Sequence, residues 1–305
     1  MPDSLNGLKT STVEVNGFPC RVWTKGSGPK LGFLAGLGGL PRWLPFLDRL
    51  AETRTVIAPS LPGYPGATGH TELDTHLDWV LAVRQLIDKS GLAGADLLGA
   101  SVGGAFAAEM AAIFPSHVRK LCLIAPFGLF DDKEPAADPW AQRRDNLPGL
   151  MCADGANWTA LVAPPDGANS VEWPIEMTRA SEAAARAFWP LGNTRLDKRL
   201  GLIEAPTLVL WGDKDAVLPT GYAQKFADGI NGATRCCRPP MRRSSPTAST
   251  ARPGCRRWPM PAISPTSTSP TRWPARSWHI LPDHVRFEPR LRGCVGGSDR
   301  YCPAR

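Results

Sequence analysis

The chain has 305 residues, of which 43% are hydrophobic and 21% charged, and it carries a formal charge of +7. This length and apolar content exclude a disordered or fibrous protein and suit one large α/β domain, or two small ones, with a sizeable buried core. No apolar run approaches the ~18 residues of a membrane span, so no membrane association is expected.

The charge is unevenly placed. Residues 235–305 hold 14 arginines, no lysine and three acids (Asp283, Glu288, Asp299), which leaves the preceding residues net acidic. Cysteines divide in the same way: Cys20, Cys122 and Cys152 are scattered, whereas Cys236, Cys237, Cys255, Cys294 and Cys302 crowd the end. None forms a C-x-x-C pair, so a zinc site is not expected; the resemblance set out below implies no metal or cofactor. Residues 1–20 lack the charged start and apolar core of a leader, and a cytoplasmic location is expected.

In chain order, residues 10–15 and 20–24 alternate like strands around Asn16-Gly17, a hairpin signal. Residues 30–35 form a short apolar strand that ends in Gly36-Leu37-Gly38-Gly39, followed by helical spacing over 40–50. Residues 54–58 read as a buried strand leading into Pro62-Gly63-Tyr64-Pro65-Gly66. A capping box of Thr71 and Asp74 predicts a helix that starts at Thr71 and closes at Gly91. Strands are predicted over 96–100, 118–124 and 206–211. Short apolar strands alternating with helices predict an α/β fold with a mostly parallel sheet and helices on both faces.

Between residues 127 and 200 no strong strand signal occurs. This stretch carries Trp140, Trp158, Trp173 and Trp189 and a helical pattern over 181–188. It predicts a helical lid inserted into the sheet domain, dividing the chain into a first core part (1–126), a lid (127–200), a second core part (201–234) and an Arg/Pro-rich tail (235–305).

The tail has 12 prolines in 71 residues and no apolar period. It reads either as a disordered basic tail or as an out-of-frame translation. Codons built from the last base of each triplet and the first two of the next permit, from Pro261 onward, the run Ala-Gly-His-Leu followed by an amphipathic helix. That frame puts a histidine where Ile263 is written. The arginines are not interleaved with aromatics and fit no nucleic-acid-binding motif, so nucleic acid is not an expected partner.

The chemistry concentrates at Leu97-Leu98-Gly99-Ala100-Ser101-Val102-Gly103-Gly104. The G-x-S-x-G pattern sits between a strand and an alanine-rich helix, where small residues allow a sharp corner that exposes the serine hydroxyl. Serine attacks only with a base in reach, a carboxylate to orient that base, and donors aimed at the oxyanion. The Gly-rich turn offers the Leu37 N–H to pair with the N–H of Val102, the residue after Ser101. It lacks the lysine of a phosphate loop and the spacing of a dinucleotide fingerprint. Asp215, just past the 206–211 strand, is the candidate acid, and Asp213 competes with it.

The order of Gly-rich turn, G-x-S-x-G and W-G-D-K-D-A-V-L-P resembles the α/β-hydrolase family, in particular lidded members such as meta-cleavage-product hydrolases and esterases. The resemblance covers about residues 10–234. It implies Ser101 as nucleophile, Asp215 as acid, and Leu37 and Val102 as oxyanion donors. Pro62-Gly63-Tyr64-Pro65-Gly66 resembles the family's loop beside the active site. Enzymes of this fold that act on haloalkanes and epoxides carry a carboxylate at the elbow, so serine implies acyl transfer. The expected function is hydrolysis of a small apolar acyl substrate (ester, lactone or C–C bond) through an acyl-enzyme.

Two departures stand out. Ala35-Gly36 replaces the family's His-Gly, which leaves the backbone donors intact. No G-H turn follows Asp215: His279 and His284 are the histidines after it, and neither has a turn context. His76 and His117 read as surface or packing residues, and His70 as part of a loop near the pocket. The second possibility is therefore a catalytically impaired or non-catalytic protein of the same fold.

Overall fold

A computed structural model describes residues 7–192 and 194–237. Residues 238–305, with His279, His284 and position 263, lie outside the described residues. One sheet holds eight strands in the order β1-β2-β4-β3-β5-β6-β7-β8. These are β1 (Lys9–Val15), β2 (Phe18–Lys25), β3 (Lys30–Leu34), β4 (Thr55–Pro59), β5 (Ala95–Ala100), β6 (Val118–Ile124), β7 (Thr207–Trp211) and β8 (Thr234–Cys237). The first two pair antiparallel, as do β2 and β4, and every other pairing is parallel.

Local sequence explains this order. Asn16 (φ 52°) and Gly17 (φ 84°) both take positive φ, as the tight turn of a twisted hairpin requires. The central strands β3 and β5 are buried apart from one end residue each, the pattern of a sheet covered on both faces. Helix α1 (Pro45–Ala51) packs on β4, α2 (His76–Lys89) on β1, α3 (Ser101–Ile113) on β5 and β6, and α7 (Gly221–Gly229) on β7 and β8. Between β6 and β7 lie α4 (Leu147–Met151), α5 (Gly155–Val162) and α6 (Glu172–Phe188).

Helix α3 is buried from Val102 to Ala112. Its small residues let it lie close to the sheet. A Cβ on Gly99 would stand 2.6 Å from the Gly103 carbonyl oxygen, and one on Gly103 would stand 2.3 Å from that of Leu34.

Several elements differ from the sequence-based expectation. Thr71 and Asp74 do not cap a helix: residues His70–Glu72 make a single 3-10 turn, and α2 begins five residues later. The T-x-x-D pattern recurs at Thr75 and Asp78, and there both halves of the box form. The Asp78 N–H donates to Thr75 Oγ1 (3.2 Å) and the Thr75 N–H to Asp78 Oδ2 (2.8 Å). The first copy loses because Gly69 (φ 86°) breaks the chain direction and His70 is anchored under α6. Helix α1 starts at Pro45 rather than near residue 40, since proline is preorganised for a first turn and cannot sit inside one. Helix α6 is longer than its 181–188 pattern. Its start holds Pro174, which is tolerated in a first turn. Strand β8 extends past residue 234 into the Arg/Pro-rich segment.

Candidate active site

Strand β5 ends at Ala100 in extended conformation (φ −113°, ψ 137°), and α3 starts at Ser101 with φ 51°. A non-glycine residue in the left-handed region is strained, and here the surroundings hold it. The Phe127 N–H donates to the Ser101 carbonyl (3.0 Å), tying the chain after β6 to the corner. A Cβ on Gly104 would press on Pro126 at 2.9 Å, so that side of the corner also requires glycine.

The Gly-rich turn after β3 lies against the serine. A Cβ on Gly36 would stand 3.0 Å from Ser101 Cβ and 3.6 Å from Oγ. The Gly39 N–H donates to the Gly36 carbonyl (2.9 Å), closing the turn around Leu37 and Gly38. Leu37 is half-buried at this turn, and the Val102 side chain is fully buried at the start of α3.

Ser101 and Asp215 line one cavity of about 410 Å³, together with Met151, Cys152, Asp213 and Lys214. Asp215 is half-buried and Asp213 exposed. Asp215 Oδ1 accepts the N–H groups of Val217 (3.0 Å) and Leu218 (2.9 Å), which fixes the carboxylate and leaves Oδ2 for a further donor. Burial pushes the Asp215 carboxyl above its ordinary value, and the two backbone hydrogen bonds only partly offset that.

The three described histidines are engaged away from this cavity. His117 Nε2 lies 3.0 Å from Asp88 Oδ1. His70 is buried with Nε2 at 3.5 Å from Glu182 Oε2 of α6. His76 Nε2 lies 3.0 Å from Glu109 Oε1 and stacks on Phe106. Among the described residues no histidine lines the cavity of Ser101 and Asp215.

Two features escaped the sequence reading. The first is Glu109, 1% exposed on α3, which binds Arg199 through both carboxylate oxygens (2.6 and 2.5 Å) besides His76. Burial alone would raise the Glu109 carboxyl, but hydrogen bonds and charge from Arg199 and His76 outweigh it and hold it below the usual range. The sequence separation of 90 between Glu109 and Arg199 leaves no local pattern to read. The second is a cavity of about 630 Å³ under α4, α5 and α6, with Leu37 and Gly38 on its wall. The tryptophan content of that segment was its only signal.

Comparison with known proteins agrees with this arrangement. The sequence profile described as the alpha/beta hydrolase fold matches residues 32–241. Over 243 residues the chain is 32% identical to a 2-hydroxymuconate semialdehyde hydrolase from Pseudomonas sp. (strain CF600), covering 73% of this chain and 80% of that protein. It is also 32% identical over 246 residues to the dihydrolipoyllysine-residue acetyltransferase component of the acetoin cleaving system of Pseudomonas putida. That match covers 73% of this chain but only 62% of the relative's length. The solved 2-hydroxy-6-oxo-6-phenylhexa-2,4-dienoate hydrolase of Rhodococcus sp. strain RHA1 superposes with a TM-score of 0.59 at 18% identity, over 75% of this chain and 90% of that one. With the profile match running from within β3 to past β8 and including the serine corner and the turn of Asp215, the chain belongs to the α/β-hydrolase fold family.

Proposed function

We propose that this protein is a serine hydrolase that cleaves a small apolar acyl substrate, an ester, lactone or C–C bond, through an acyl-enzyme. Ser101 is the nucleophile, Asp215 the orienting acid, and the N–H groups of Leu37 and Val102 the oxyanion donors. One observation carries this: Ser101, strained at φ 51°, shares a cavity with a carboxylate already fixed by two backbone donors. Fixed dipoles beside a strained alcohol are what acyl transfer requires, because they stabilise developing charge without reorganising. Relatives that hydrolyse C–C bonds and monoacylglycerols support the reaction class.

In the reaction, Ser101 Oγ bonds to the substrate carbonyl carbon while its proton passes to a base and then to the leaving group. Water next attacks the acyl-enzyme, releasing the acid and restoring the hydroxyl. The base this reading requires is a histidine; in the chain as written position 263 is isoleucine, and the alternative reading frame would put a histidine there. The first core part (1–126), lid (127–200), second core part (201–234) and tail (235–305) are the divisions this reading uses. A cytoplasmic setting goes with the free, buried thiols of Cys20 and Cys122. Among the described residues no helix is long and apolar enough to cross a membrane.

A second reading, a catalytically impaired protein of the same fold, is favoured by the engagement of His70, His76 and His117 elsewhere. Labelling the full chain with a fluorophosphonate, alongside turnover of p-nitrophenyl butyrate, separates the two. The hydrolase reading expects labelling and turnover of the protein expressed in the corrected frame, both lost in Ser101→Ala. Poor labelling together with no turnover supports impairment, since an unactivated serine is a weak nucleophile, and turnover retained in Ser101→Ala removes Ser101 from the mechanism. Sequencing the gene across codons 231–263 tests the frame.

A further inference from the structure

We propose that the cavity between residues 138–141 and the C-terminal end of α6 binds a small organic cation. The ligand is a methylated or quaternary ammonium group, held against the rings of Trp140 and Trp189 and the carboxylate of Asp138. The described lining of this cavity shares no residue with the cavity of Ser101. The assignment therefore stands whether or not Ser101 is the nucleophile.

The cavity has a volume of about 530 Å³, within the range of small-molecule sites. Trp140 and Trp189 both line it. Trp140 is half-buried, whereas Trp189 is 58% exposed and gains little from packing. An indole has one donor, and each ring has spent its own. Trp140 Nε1 donates to the Ser181 carbonyl (3.0 Å), and Trp189 Nε1 to Asp138 Oδ2 (3.1 Å). The two side chains are left with π surface, which attracts a cation and gives a hydrogen-bond acceptor nothing.

Charge at the cavity favours the same ligand. Asp138 Oδ1 accepts the N–H groups of Trp140 (2.8 Å) and Ala141 (3.2 Å), which fixes the carboxylate on the wall. Among the described residues no Lys, Arg or His side chain pairs with it, so its charge is open to a ligand. Ala185 and Arg186 belong to the last turn of α6, and Trp189 caps it. The C-terminal end of this 17-residue helix carries partial negative charge. Arg186 is the opposing group on the wall, and its guanidinium is engaged with residues outside the lining. It donates to the Thr71 carbonyl (3.2 Å) and stands 3.6 Å from Asp74 Oδ1.

Other occupants fit less well. A carboxylate would meet Asp138 and the helix end, with no donor from either ring. A neutral molecule of the same size keeps the apolar contact but loses the attraction to the rings and to Asp138. A metal ion needs several oxygen ligands, and the described wall supplies one carboxylate. A methylated ammonium spreads its charge over methyl groups that can lie on both rings. Each exposed ring is worth about two- to fivefold in affinity for such a cation, and the fixed carboxylate adds to that.

The test uses the full chain with isotope-labelled tryptophan, so that NMR reads the indole N–H signals directly. Tetramethylammonium, tert-butanol and pivalate serve as cationic, neutral and anionic probes of similar shape, titrated at constant ionic strength. Tetramethylammonium should shift the Trp189 signal, identified by its loss in Trp189→Phe, and the shift should saturate. It should bind about fivefold tighter, or more, than either of the other probes. Trp189→Ala should weaken it about twofold or more. Asp138→Asn, which keeps an acceptor for the backbone donors but not the charge, should also weaken it. Absence of a saturable shift with tetramethylammonium overturns the proposal, as does equal or tighter binding of tert-butanol or pivalate, or unchanged affinity in either folded variant. If a variant fails to fold, the three probes on the parent chain still decide. Binding is read without turnover, so the outcome at Ser101 does not bear on it.

Discussion

Gly36 faces Ser101 with nothing between them: the place of a Gly36 side chain is 3.0 Å from the serine Cβ. The turn that carries the Leu37 N–H is thus set directly against Ser101, and its distance from Oγ depends on the missing methyl. Gly36→Ala should fold, because the contact needs a shift of only a few tenths of an ångström. It should lower kcat for p-nitrophenyl butyrate by about tenfold or more, since displacements of about an ångström near reacting atoms cost up to about a hundredfold. A melting temperature within a few degrees of the parent, with kcat reduced, is the expected pair of results.

Gly103→Ala acts on the fold instead. Its methyl would stand 2.3 Å and 2.4 Å from the backbone carbonyls of Leu34 and Ala35, which cannot rotate away. Overpacking of this kind costs about 1–3 kcal/mol, and the upper end applies because both obstacles are main chain. Differential scanning calorimetry should show a fall of roughly 6–12 °C for a domain of this size.

Asp215→Asn should separate stability from activity. Asparagine can still accept the Val217 and Leu218 N–H groups, so the turn keeps its shape. Burial raises the Asp215 carboxyl, so the charged form costs stability at neutral pH, and that cost is relieved as pH falls through the folded value. The amide carries no such penalty, and thermal stability at pH 7 should not drop. Ester turnover should fall by about 10⁴-fold if a histidine is oriented by this oxygen.

Glu109 has the opposite sign. Its carboxyl is held below the ordinary value, so its contribution is present above about pH 4.3, the unfolded value, and is lost as pH falls through the folded one. Glu109→Ala leaves Arg199 without its carboxylate partner and should cost about 3–5 kcal/mol at pH 7. Urea unfolding at pH 7 and pH 3 checks both parts: the variant's deficit should shrink at the lower pH.

The strands and the serine corner were legible because each depends on a local signal. Residues 118–124 form β6 as expected, and Gly99, Ser101 and Gly103 occupy the corner their spacing announces. The start of α2 was misplaced because two T-x-x-D boxes stand four residues apart, and burial of His70 under α6, a tertiary contact, selects the second. The Glu109–Arg199 pair and the cavity under α4–α6 were not legible. Their residues meet only after the segment between β6 and β7 folds back on the sheet domain.

The carboxylate of Glu109 has a consequence for how the inserted segment is held. It sits in the helix that Ser101 begins, and it grips Arg199 near the end of the inserted segment and His76, whose Nδ1 lies 3.4 Å from the Ala187 carbonyl at the end of α6. That end of the insertion cannot lift without stranding a buried charge. The opposite end, α4 and α5, buries no residue fully. The insertion is therefore tethered to the sheet domain more firmly at the Glu109–Arg199 end than on the α4–α5 side.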